Sequence, residues 1–72
     1  MYETLSEREL SVVRLVAKGR TNQEIGKELG ISTSTVKSHL VRIALKLGVH
    51  SRAEVVYRAV KKRMLTMSRD AR

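Results

Sequence analysis

Residues 29–48 read Leu29-Gly30-Ile31-Ser32-Thr33-Ser34-Thr35-Val36-Lys37-Ser38-His39-Leu40-Val41-Arg42-Ile43-Ala44-Leu45-Lys46-Leu47-Gly48, and their order decides the fold. Gly30 ends one apolar-periodic stretch, Ser32 caps the next, and the chain turns between them in a few residues, as a helix-turn-helix requires. Projected at about 100° per residue, Val36, Leu40, Ile43 and Leu47 form one narrow stripe, which predicts the buried side of a helix over 33–47. The opposite face carries Ser34, Lys37, Ser38, Val41 and Leu45, flanked by Thr35, Arg42 and Lys46, with no carboxylate in the whole segment.

Working outward, Gly19, Gly30 and Gly48 each follow an apolar-periodic stretch and precede a new cap residue. Ser6-Glu7-Arg8-Glu9, Thr21-Asn22-Gln23-Glu24 and Ser51-Arg52-Ala53-Glu54 match the capping box, and Leu5 with Leu10 and Ile31 with Val36 are spaced as hydrophobic staples. The reading is therefore all-α: a compact four-helix domain over 1–64, with helices over 7–18, 22–29, 33–47 and 52 to about 64. Val12, Val13, Leu15 and Val16 line one side of the first helix; Glu7, Ser11, Arg14 and Lys18 form its solvated row. In the fourth, Ala53, Val56, Val60 and Met64 are expected to face the core, with Val55 and Ala59 beside them as surplus apolar surface. Residues 65–72 lack periodicity and read as a basic, disordered tail.

A chain of 72 residues has room for one small core and none for a large catalytic cleft. It has no cysteine, which excludes disulfides and thiolate metal sites and fits a reducing cytoplasm. No apolar run approaches the roughly 20 residues that span a bilayer. Fifteen Lys plus Arg against seven Asp plus Glu leave a net charge of +8, which favours a polyanionic partner. Nucleic acid leads; an interfacial membrane helix lacks its Trp and Phe anchors.

The third helix supplies the chemistry for duplex DNA. Lys37 can donate to guanine O6 or N7, Ser38 can bond either kind of base edge, and exposed Val41 can meet a thymine methyl. Thr21, Asn22, Thr33, Ser34 and Thr35 sit at helix starts, where free N–H groups and the positive dipole end favour phosphate oxygens. Arg42 and Lys46 add charge along the backbone. The plainer reading of Thr21, Ser32 and Ser51 is capping, and Glu9, Glu24 and Glu54 are explained as capping-box partners rather than catalytic carboxylates. His39 reads as a packed side chain and His50 as a solvated one, so no metal set, no cofactor site and no nucleophile–base pair emerges.

The motifs Leu5-Ser6-Glu7-Arg8-Glu9, Thr21-Asn22-Gln23-Glu24-Ile25, Thr35-Val36-Lys37-Ser38-His39, Lys46-Leu47-Gly48-Val49 and Ser51-Arg52-Ala53 resemble the LuxR-type (GerE-type) helix-turn-helix domain of bacterial transcription regulators. The likeness runs from Leu5 to about Ala59. It implies that helices two and three form the motif, that the third is the recognition helix, and that bases are read from Lys37, Ser38 and Val41. It also implies phosphate contacts from Asn22, Thr33, Thr35 and Lys46, and a homodimer on inverted half-sites through helix four, where Val55, Val56 and Ala59 would form the seam.

The sequence departs from that pattern at Gly26, where relatives usually have Ala, and at apolar Leu45, where they tend to be polar. Many relatives carry an N-terminal receiver or ligand-binding domain; none lies within these residues, so the chain reads as a stand-alone member or an excised effector domain. Two rival readings remain: a promoter-reading sigma-factor-like region, disfavoured by the Lys-Leu-Gly-Val ending, and an interaction module docking on RNA polymerase or another regulator through Val41, Leu45 and Val55.

Overall fold

A computed structural model describes residues 5–61, the side chain of Ala59 excepted. The tail expected over 65–72, the end of the fourth helix near residue 64 and Met64 lie outside that range. Four helices follow in order: α1 (Glu7–Ala17), α2 (Asn22–Leu29), α3 (Thr33–Leu47) and α4 (Arg52–Lys61), with no strand among the described residues. The expected starts and the ends of the first three helices agree to within one residue.

Local chemistry fixes these boundaries. Ser6 and Thr21 close complete capping boxes: each hydroxyl accepts from the backbone N–H three residues on, and Glu9 and Glu24 return a carboxylate to the cap N–H. Ser32 caps α3 through Thr35 N at 3.1 Å and shares a 2.9 Å hydroxyl contact with Thr35. The third expected box is different, because Glu54 Oε1 accepts from His50 N–H rather than from that of Ser51. Gly30 and Gly48 stop α2 and α3 in the left-handed region, at φ 72° and 69°.

The helices enclose one core of Leu5, Val12, Val13, Leu15, Val16, Ile25, Val36, Ile43, Leu47, Val49 and Val55. Val36, Ile43 and Leu47 are buried as the periodicity requires, whereas Leu40 is half-buried at the edge of a shallow groove between α3 and α4. The turn between α2 and α3 is unusually close. A Cβ on Gly26 would lie 2.6 Å from the Ile31 carbonyl oxygen, and Ile31 N–H donates to Gly26 O at 2.9 Å. The missing side chain therefore lets the turn that leads into α3 lie directly against α2.

The fourth helix is rotated from expectation. Val55 is 2 % exposed and belongs to the core, while Ala53 is exposed and Val60 is 49 % exposed. α4 packs against both α1 and α3, and that docking turns the Val55 side into the core. Val55 is thus unavailable for a dimer seam or for docking. Val56 is half-buried against the core, and the large apolar groups that α4 presents outward are Tyr57 and Val60.

Candidate nucleic-acid interface

Because α3 buries Val36, Ile43 and Leu47, its far side is free over its whole length. Ser34, Lys37, Ser38, Val41, Arg42 and Leu45 are all exposed, Val41 at 62 % and Leu45 at 76 %. The three residues singled out for base edges thus share one open helical face. Thr33 is exposed at the first turn of α3, with Thr35 half-buried behind it. Thr21 and half-buried Asn22 stand at the start of α2, the second helix N-terminus of the motif.

Lys46 occupies a different setting from the one expected of a free backbone contact. Its Nζ donates to Glu9 Oε1 at 2.8 Å, and its side chain is only 20 % exposed. Glu9 is almost fully buried, which alone would raise its carboxyl pKa. Bonds from Lys46 and the Ser6 N–H, the Lys46 charge and the Ser6 hydroxyl outweigh that burial and hold it below the usual carboxylate value. The ammonium of Lys46 is therefore committed to the first turn of α1.

Other cations are also engaged inside the fold. Arg8 Nη1 donates to the Leu29 carbonyl at the end of α2, and Arg58 Nη1 to the Leu47 carbonyl at the end of α3. Each satisfies an orphan helix-terminal oxygen and complements the negative end of the dipole. Arg52 bonds both Asn22 Oδ1 and the Arg20 carbonyl. Sequence reading missed all four partnerships. Lys37 and Arg42, by contrast, make no hydrogen bond or ion pair with another described residue. Among the described residues no three His, Asp or Glu side chains are grouped to hold a metal, and no helix is long and apolar enough to cross a membrane.

An open basic helix face set by a tight helix-to-helix turn defines a helix-turn-helix domain. Residues 3–59 match the family model GerE, described as bacterial regulatory proteins of the luxR family. The chain belongs to that family, whose helix-turn-helix domains bind DNA in the regulation of transcription.

It is 44 % identical over 64 residues to the oxygen regulatory protein NreC of Staphylococcus aureus, covering 89 % of this chain and 30 % of NreC. Its fold matches the response regulator ChrA of a heme-sensing two-component system with TM-score 0.85 and 35 % identity, over 90 % of this chain and 32 % of ChrA. It also matches VqmA in a Vibrio cholera VqmA–ligand–DNA complex with TM-score 0.79 and 27 % identity, over 86 % and 27 % of the two chains. The chain thus spans about a third of each of these relatives.

Proposed function

We propose that the domain binds duplex DNA sequence-specifically, with α3 lying in the major groove. Lys37, Ser38 and Val41 read base edges, and Thr21, Asn22, Thr33, Ser34, Thr35 and Arg42 hold the flanking phosphates. The observation that carries this reading is the contrast along one helix: Val36, Ile43 and Leu47 are buried, while Lys37, Ser38, Val41 and Arg42 are open to solvent with no acid beside them on α3. Lys46 is a secondary contact, because a phosphate has to compete with Glu9 for its ammonium.

The domain acts by binding rather than catalysis, in the bacterial cytoplasm, as the output part of a transcription regulator. On inverted half-sites it pairs through α4, with exposed Tyr57 and Val60 at the seam and Val56 at its edge. Leu45, exposed beyond the base-reading residues, leaves a second reading open, in which the end of α3 touches RNA polymerase.

Fluorescence anisotropy on a duplex selected from a random-sequence library, over a salt series, tests the assignment. Lys37→Ala should cost about 1 to 3 kcal/mol on the selected duplex and relax base preference, while Arg42→Ala weakens all duplexes alike and lowers the salt slope by about one. Equal losses on selected and unselected DNA from both changes would contradict it.

A further inference from the structure

The start of α4 reaches the start of α2 through one side chain. Arg52 Nη1 donates to Asn22 Oδ1 at 2.6 Å and Nη2 to the Arg20 carbonyl at 2.8 Å, across 30 and 32 residues. A guanidinium has donors only and stays charged, so the end of the Asn22 carboxamide that meets it must be the oxygen. The rest of the geometry follows from the planarity of the amide: Nδ2 points away from Arg52, and it has no hydrogen-bond partner among the described residues. Asn22 is the first residue of α2, directly after the cap Thr21.

We infer that Arg52 is a positioning residue for DNA binding: it fixes which end of the Asn22 amide faces outward, so that a donor and not an acceptor meets the phosphate. The inference rests on the phosphate role proposed above for Asn22. An unrestrained amide would present its oxygen to the phosphate in part of its population, and that orientation is repulsive. Two bonds from one planar fork also stop the start of α2 from shifting relative to α4. Lysine at 52 keeps the charge but gathers its donors on one nitrogen, so it lacks the two-nitrogen fork that meets the Asn22 and Arg20 oxygens separately.

The test uses the full chain and a duplex selected from a random-sequence library by the wild type. Arg52→Lys and Asn22→Ala should each weaken binding about tenfold, and the double variant should be no weaker than either single one. Asn22→Asp should keep the Arg52 contact, remain folded and still bind more weakly. Losses that multiply in the double variant would overturn the inference, since Arg52 would then act on DNA independently. Unchanged binding by both Asn22 variants would remove the phosphate role of Asn22 and the inference with it.

A second readout needs no DNA and separates the two claims. In the free chain the Asn22 side-chain amide resonances should shift on Arg52→Lys while the backbone spectrum outside the starts of α2 and α4 is preserved. Unmoved amide resonances would overturn the positioning role even if Asn22 proves to contact phosphate.

Discussion

The Lys46 ammonium lies 2.8 Å from Glu9 Oε1 and ties the last turn of the recognition helix to the first turn of α1, across 37 residues. Glu9 has two tasks at once, closing the capping box of α1 and neutralising a cation that would otherwise be free on α3. Lys46→Met should therefore act first on stability: it leaves a nearly buried carboxylate without its charge partner, at a cost of about 2 to 3 kcal/mol. Urea unfolding measures this. A stability equal to wild type, with only DNA affinity reduced, would return Lys46 to the role of a simple phosphate contact.

The same pair sets a pH dependence. The folded Glu9 carboxyl titrates below its usual value, so its contribution is fully present above the ordinary carboxylate range. As pH falls, the unfolded chain takes up the proton first, and the contribution is lost on the way down through the lowered folded pKa. Glu9→Gln keeps an acceptor for the Ser6 N–H but cannot titrate. Its stability should fall less steeply than wild type over that acidic window; identical slopes in urea unfolding would show that Glu9 is not a source of the acid sensitivity.

Gly26 gives a prediction whose sign separates two effects. Helix propensity alone makes Gly26→Val slightly stabilising, by a few tenths of a kcal/mol. The 2.6 Å approach of a Cβ to the Ile31 carbonyl oxygen argues the opposite, because a backbone atom must move and the Ile31–Gly26 hydrogen bond is disturbed. We expect a loss of more than about 2 kcal/mol. An unchanged or raised thermal midpoint would mean that the turn relaxes without cost.

Val55 and Tyr57 are two residues apart and should behave differently. Val55→Ala removes buried volume and should cost about 1 to 2 kcal/mol without altering self-association. Tyr57→Ala should leave monomer stability within about 0.5 kcal/mol and weaken pairing on a two-half-site duplex. Thermal unfolding and sedimentation measure the two effects, and the reverse pattern would restore Val55 to the seam.

Most of the backbone was legible because caps and stops are local signals. Ser6, Thr21 and Ser32 act within three residues, and Gly30 and Gly48 within the turn they close. The rotation of α4 was not legible: apolar groups at 53, 55, 56, 59 and 60 surround much of a short helix, so only the neighbours α1 and α3 choose its buried side. The engaged cations were hidden for a related reason. A capping box already accounted for Glu9, leaving no sign of a partner 37 residues away, and nothing local to Arg52 points to Asn22. The open face of α3 needed no such partner, and periodicity alone placed Lys37, Ser38 and Val41 on it.

The most direct test of the central claim is an amide chemical-shift titration of the full chain with a selected duplex. The largest changes should fall on Lys37, Ser38 and Val41 and at the starts of α2 and α3, with exposed Glu7 and Arg14 on α1 and Lys18 at its C-cap unmoved. Changes concentrated on α1, with the outer face of α3 silent, would contradict the assignment of α3 as the element that enters the groove.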